Sequence, residues 1–456
     1  MVGHSAVVDT STLPRAPRNP LPRSEQVKAL RAYHTGLSTL RDAGGYVTLL
    51  SLGPSWLVPP MVVATSPQGI HDILGRRDGL AEKANSVFVE MRRLMGGNLF
   101  DLTHRSWLPR RRTLQPLFTK HYVSQFAGHM AQAADVVASR WCDDRVVDLD
   151  GESRTLTMRA LGRSVLGVDL DERADALSEP MRVALTYIAD RALQPVHAPN
   201  WMPTPARRRA RQATAAMKQL ARDIVDACRT NPDMDAPLVH ALIAAVDPET
   251  GKSLPDNEIY DEMLVFLIAG HDTTSTTLAY ALWELGRHPS LQDRVYKEVA
   301  ELGDRQLAPD DLPRLSYTVQ VLHEALRLCP PGPAASRMAL QDIVVDGHRV
   351  EAGTVLIAGI RAVHTDPDLW DRPLVFDPDR FTAENSRGRD RWQYLPFGAG
   401  PRSCIGDHFA MLEATLALAT CVRHAEIRSL EPTFPLAVPF TMVADGPIRA
   451  RVSQRA

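Results

Sequence analysis

Phe397-Gly398-Ala399-Gly400-Pro401-Arg402-Ser403-Cys404-Ile405-Gly406 is the stretch from which the rest of this chain can be read. It has the form F-x-x-G-x-R-x-C-x-G: a cysteine behind a glycine-punctuated turn and an arginine. A helix-like segment, about Asp407 to Leu418, follows it. Gly398 and Gly400 permit positive φ and let backbone approach a flat ring where a Cβ would collide. Arg402 offers a carboxylate a planar fork of donors. Gly406 leaves room for the next helix, whose N-terminus favours a charged sulfur through its unbonded N–H groups and dipole. The alternative is a buried structural cysteine, the ordinary fate of a lone Cys. Five fixed positions, each met by chance about once in twenty, give on the order of one accidental match per ten thousand chains of this length.

The motif continues as Cys404-Ile405-Gly406-x-x-Phe409-Ala410-x-x-Glu413. The whole stretch resembles the haem-binding loop of the cytochrome P-450 superfamily of haem-thiolate monooxygenases. The resemblance implies Cys404 as the iron ligand, with Phe397, Gly398, Arg402 and Gly406 around the haem. Upstream, Ala269-Gly270-His271-Asp272-Thr273-Thr274 follows the apolar run Met263-Leu264-Val265-Phe266-Leu267-Ile268. An acid and hydroxyls within such a helix are costly unless used, although this pattern is usually a polar stripe or a back-bonded hydroxyl. Gly270 and a threonine hydroxyl could open a groove that admits dioxygen and water. The stretch is similar to the superfamily's A-G-x-D-T-T motif. That likeness implies Ala269 and Gly270 against the haem, Thr273 hydrogen-bonded to the oxygen being activated, and Asp272 relaying protons. His271, at the variable position, reads as structural.

Glu324-Ala325-Leu326-Arg327 places an acid and an arginine on one helical face. In isolation such a pair is solvated and worth little. The superfamily carries the same pair ahead of a segment like Pro330-Pro331-Gly332-Pro333, joined by a downstream arginine that resembles Arg380. Glu324, Arg327 and Arg380 then form a structural clasp behind the Cys404 loop. Trp107-x-x-x-Arg111 is similar to the helix whose Trp and Arg contact haem propionates, and Arg337 occupies another propionate position. Soluble bacterial relatives often have His in place of Trp107; His104, one turn earlier, is an alternative stand-in. With Arg402, these residues supply the cations that two buried carboxylates require.

The chain has 456 residues, 44% of them hydrophobic, and a net charge of −2, so no charge excess calls for nucleic acid. Its cysteines, Cys142, Cys228, Cys329, Cys404 and Cys421, are odd in number and form no C-x-x-C pair. Neither a disulfide framework nor zinc is implied, which fits a reducing cytoplasm. Met1 to Thr10 lacks the form of a signal peptide, and no apolar run approaches 18 residues, so no transmembrane anchor is expected. Residues 1–23 read as an extended Pro-rich lead-in and 24–456 as a single domain, expected to be a monomer. Tyr46–Leu52 and Trp56–Ala64 read as a hairpin around Gly53-Pro54-Ser55. Asp346-Gly347 reads as a tight turn between Ile343–Val345 and a later strand, Thr354–Ala358. The longest helix is expected from an Asp256/Asn257 cap to about Arg287, and Pro289–Leu302 and Ser316–Leu328 as the next two.

The resemblance spans the chain from about residue 25 and implies a mainly α fold: an α-rich lobe with a smaller β-rich lobe. Haem b would sit between the long central helix and the Cys404 loop. The implied activity inserts one oxygen atom of O2 into a C–H bond of a lipophilic molecule, a fatty acyl chain, terpenoid or polyketide. Electrons are expected from a ferredoxin or flavodoxin with an NAD(P)H reductase, because the sequence has no flavin motif or iron–sulfur cysteine cluster. Arg110 and Arg112 are expected to face an acidic ferredoxin, with ordinary solubility as the competing role. The alternatives are a haem-thiolate isomerase, dehydratase or peroxide-driven hydroxylase, relatives that often lose the acid–threonine pair, and a non-catalytic haem sensor. Pocket residues are expected among 84–100, 181–202, 265–273, 334–338 and 432–441, Phe88, Leu99 and Phe434 included. Arg207-Arg208-Arg209-Ala210-Arg211 opens a helix with cations that oppose its dipole, a solvated face or a site for anionic lipid or an acidic carrier.

Overall fold

The β-rich runs around Gly53-Pro54-Ser55 pair antiparallel as β1 (Val47–Leu50) and β2 (Met61–Ala64) in the computed structural model. It describes residues 10–141, 144–167, 174–193, 198–199 and 201–455. The chain divides into two compact units. The first comprises residues 1–85, 333–373 and 389–403, and the second 86–332, 374–388 and 404–456.

In the first unit the hairpin extends into a five-stranded sheet with β3 (Ala81–Glu82), β4 (Ala335–Ala339) and β7 (Val355–Ala358), in the order β1-β2-β7-β4-β3. β2 and β7 run parallel, and the other pairs are antiparallel. Asp346-Gly347 does turn the chain, with φ of +46° and +75°. The partner of Ile343–Val345 (β5), however, is His348–Val350 (β6) and not Thr354–Ala358. A turn with two positive φ values reverses the strand at once, so the next three residues pair. The later segment is left to form β7 at the centre of the larger sheet.

The second unit is helical. Its main helices are α1 (Ser86–Met95), α2 (His104–Leu114), α3 (Ala127–Ala138), α4 (Leu149–Leu161), α5 (Ala174–Leu193) and α6 (Pro205–Thr230), followed by α7 (Asp256–Arg287), α8 (Pro289–Ala300), α9 (Ser316–Leu328) and α10 (Asp407–His424). At 32 residues, α7 is about 48 Å long. It lies in the core along most of its length. Pro255, not an Asp256 or Asn257 side chain, occupies its N-cap. The Asp256 carboxylate instead takes two hydrogen bonds from Arg229 of α6, at 2.8 and 2.5 Å. His288-Pro289 ends α7 and starts α8. A three-stranded sheet joins Arg145–Asp148, Arg449–Gln454 and Ala425–Ser429. Among the described residues, no helix is long and apolar enough to cross a membrane.

Candidate active site

Cys404 is exposed, whereas Cys228, Cys329 and Cys421 are buried; Cys142 lies outside the described residues. The thiol belongs to the second unit, opening its last segment just before α10, whose N-cap is Gly406. Surrounding protein pushes its pKa up and the Asp407 carboxylate adds to this, while the Gly406 N–H and the Arg111 guanidinium pull it down. The helix terminus therefore does not suffice to charge the free thiol; coordination to a metal ion would, because a coordinating thiol is deprotonated outright. Trp107 and Arg111 both lie on α2, with Trp107 buried and Arg111 close enough to Cys404 and Asp407 to feel their charge.

In the first unit, Gly398 and Gly400 adopt φ of +68° and +74°. A Cβ on Gly400 would stand 2.1 Å from the Leu74 carbonyl oxygen, so a neighbouring loop imposes that glycine. A Cβ on Gly398, and likewise on Gly406 in the second unit, would meet nothing within 4 Å. Those are the positions where a flat ring could lie against bare backbone. Arg337 and Arg402 gather about Glu82: Arg402 Nη2 lies 3.4 Å from Glu82 Oε2, and the buried Arg337 donates to Ser336 O at 2.8 Å. Burial and then the neighbouring Arg402 press the Arg337 pKa down to about 10, against the pull of Glu82. Both guanidiniums feel the one Glu82 carboxylate. In the second unit the exposed Cys404 thiol beside Arg111 suits a metal ligand, and in the first unit Arg337 and Arg402 suit a carboxylate; these are the donors that an iron porphyrin with its propionates requires.

On α7, the Thr273 hydroxyl donates to Ala269 O at 2.6 Å, while the buried Thr274 hydroxyl has no hydrogen-bond partner among the described residues. Gly270 does not open the helix, which is α-helical throughout. A Cβ there would stand 2.8 Å from a Leu161 methyl, so the glycine lets α7 pack tightly on α4. Asp272 accepts a hydrogen bond from Arg154 Nη1 at 2.8 Å, and Arg154 Nε also donates to Asp150, at 2.7 Å. Nothing in the sequence pointed to Arg154, which stands 118 positions from its partner.

The His271 Nδ1 lies 3.0 Å from the Thr157 hydroxyl, and its buried Nε2 makes no hydrogen bond among the described residues. Burial lowers its pKa from 6.5 to about 4, with Arg154 assisting and Asp272 opposing. Between those values the unfolded chain takes up a proton that the folded chain refuses, so stability falls as pH drops from 6.5 towards 4. A displacement of that size corresponds to about 3 kcal/mol. Denaturant titrations across that window should show a flatter pH dependence for His271→Gln than for the parent. Parallel curves would assign the acid sensitivity to another group.

Glu324 and Arg327 are fully buried and doubly hydrogen-bonded, Nε to Oε2 and Nη2 to Oε1, each at 2.7 Å. Arg380 Nε approaches Glu324 Oε1 at 3.3 Å, the Asp377 N–H donates to the same oxygen at 2.9 Å, and Arg327 reaches Val375 O.

Three expectations are corrected. Arg110 does not face outward: it is buried and paired with Glu262 and Glu258 of α7, and Arg112 binds Asp247 and Glu249. Both sets of partners lie more than a hundred positions away, so the sequence shows the cations without their counter-ions. Arg207 leaves the basic cluster and turns inward to Pro199 O at 2.7 Å and the Tyr187 hydroxyl at 3.1 Å; Arg208, Arg209 and Arg211 stay exposed. Phe434 packs on Tyr280 and Trp283, at 5.1 and 5.6 Å between ring centroids, within the core. Phe440 is the residue of that segment that meets Phe100 (6.1 Å), which also contacts Phe88 (5.9 Å). The expected pocket segment 181–202 falls partly outside the described residues.

Residues 32–442 match the family model described as Cytochrome P450. The chain is 32% identical to cyclooctat-9-en-7-ol 5-monooxygenase of Streptomyces melanosporofaciens, across 86% of this chain and 84% of that protein. It is 31% identical to cyclooctatin synthase of the same organism (89% and 88%), and 29% identical to pentalenene oxygenase of Streptomyces avermitilis (86% of each). The crystal structure of the cytochrome P450DA heme domain superposes with a TM-score of 0.85 at 27% identity, covering 97% of this chain and 98% of that one.

Proposed function

The chain belongs to the cytochrome P450 family and is a monooxygenase, and we propose that it hydroxylates a cyclic terpenoid with electrons from a ferredoxin or flavodoxin system. The observation that carries the substrate class is the likeness, over most of the chain, to three Streptomyces enzymes named for cyclooctatin and pentalenene chemistry. The aromatic wall of Phe88, Phe100 and Phe440 supports it, because such surfaces favour rigid apolar molecules.

Haem, proposed as the b form, supplies the activation of dioxygen and its transfer to carbon. Cys404 would hold the iron, with Trp107, Arg111, Arg337 and Arg402 on the propionates and Phe397, Gly398, Gly406, Ala269 and Gly270 around the ring. Asp272, which Arg154 holds, and Thr273, which donates to Ala269 O, would keep and deliver protons on the α7 side.

Thr273→Ala should leave haem content and substrate binding intact yet divert most electrons to hydrogen peroxide, since losing a positioned proton donor costs about 10²–10⁴ in the step it serves. Peroxide and product counted per NADPH measure this directly. Thr274→Val should be mild, because its hydroxyl has no partner to lose. Tight coupling in the Thr273 variant would favour a peroxide-driven or isomerising mechanism instead.

The proposed substrate class is tested with the holoprotein, a ferredoxin, its reductase and NADPH. A panel of cyclic terpene hydrocarbons and alcohols, fatty acids and macrolactones is screened for a Soret shift and for products heavier by one oxygen. Terpenoids should give both signals. Turnover confined to fatty acids or macrolactones would overturn the assignment.

A further inference from the structure

Of two adjacent acids on α7, Glu262 holds the loop between α1 and α2 by hydrogen bonds and Asp261 lies against it. Glu262 is fully buried; the Leu99 N–H points at both of its oxygens, at 2.9 and 3.1 Å, and Arg110 of α2 donates to Oε1. Asp261 pairs with Lys218 of α6 at 2.6 Å. Gly96 lies so close over the Asp261 carboxylate that a Cβ would stand 2.0 Å from Oδ2, and its φ is +88°. The loop braces itself as well: the Asn98 N–H donates to Asp101 Oδ1 at 3.1 Å and the Phe100 N–H to Asn98 Oδ1 at 3.0 Å. Phe100, next to the anchored Leu99, stands between Phe88 and Phe440.

We infer that Glu262, with Asp261 beside it, is a positioning residue for substrate selection: it fixes residues 96–101 on α7 and so sets where Phe100 stands in the aromatic wall. Arg110 makes the anchor directional. A carboxylate offers each of its two donors a full lone pair, and an amide in its place must turn its NH2 towards one of them. Glu262 connects α7, which carries Asp272 and Thr273, to α2, which carries Trp107 and Arg111, while Asp261 ties α7 to α6. The inference rests on the reading above that this wall meets the substrate.

The test uses holoprotein and two iron-binding probes: imidazole, which needs little of the wall, and 4-phenylimidazole, whose ring must fit against it. Glu262→Gln should weaken 4-phenylimidazole about tenfold while imidazole stays within about twofold. Amide hydrogen exchange at residues 97–100 should quicken by about tenfold or more. Gly96→Ala, which lifts the loop off Asp261 with every charge intact, should shift the same probe ratio, and it decides the matter if the Gln variant does not fold. An unchanged ratio and unchanged exchange overturn the inference even if the melting temperature falls, since Glu262 would then be only a structural ion pair. A parent protein whose Soret band responds to neither probe would count against the haem-site reading, not against the anchor.

Discussion

Cys404→Ser is expected to abolish the long-wavelength absorption of the reduced, carbonyl-bound holoprotein and to take turnover to background. Cys404 is the exposed cysteine among those described, and Cys228, Cys329 and Cys421 are enclosed in the core, the Cys421 thiol held far from ionisation by burial. A serine hydroxyl fills nearly the same space but supplies neither a soft ligand nor an accessible anion, so the electron donation that favours O–O cleavage is lost. Haem can still be retained by the arginines, which makes the outcome informative: pigment without the thiolate band, and without product. The carbonyl difference spectrum and product yield of Cys404→Ser check it. Survival of the thiolate band would move the ligand to another cysteine.

Glu324→Ala and Arg327→Ala are each expected to cost about 3–5 kcal/mol, because either change strands a buried charge. Most of the protein should appear in the insoluble fraction, and the soluble remainder should be poor in haem. Glu324 also accepts from the Asp377 N–H and sits beside Arg380, so its loss releases the 374–388 segment as well as Arg327. Replacing both residues by leucine should cost clearly less than the sum of the single changes, since neither partner is then left unpaired. Denaturant midpoints and haem-to-protein ratios decide the case. Normal values in both single variants would show that the pair contributes only what a surface contact does.

The bounds of α7 were legible because proline marks each end, Pro255 at the N-cap and Pro289 just past the close. The Cys404 loop was legible because its glycines, arginine and cysteine are neighbours in sequence. What could not be read were pairings across distance. Asp346-Gly347 announces a turn, but its hydrophobic flanks do not say which of two later segments is the partner. Arg110 and Arg112 look like a docking face until Glu258, Glu262, Asp247 and Glu249 are brought beside them. Arg207 looks like part of a basic patch until the carbonyls ahead of its helix turn towards it. Glu262 did leave a trace, an acid pair just ahead of an apolar run, although its task depends on a loop some 160 residues earlier.

The parallel pairing of β2 with β7 has a consequence for biosynthesis. Roughly 290 residues separate Ala64 from Val355, which at about 5–20 residues per second is between about 15 s and one minute of translation. Throughout that interval β1 and β2 exist only as a two-stranded hairpin, which is marginal in water, and β2 shows an apolar edge of Met61, Val62, Val63 and Ala64. The first unit cannot close until its third segment, residues 389–403, has left the ribosome. Nascent chains arrested before residue 355 should therefore recruit chaperones that bind extended apolar segments at 61–64, and chains arrested after residue 403 has emerged should release them.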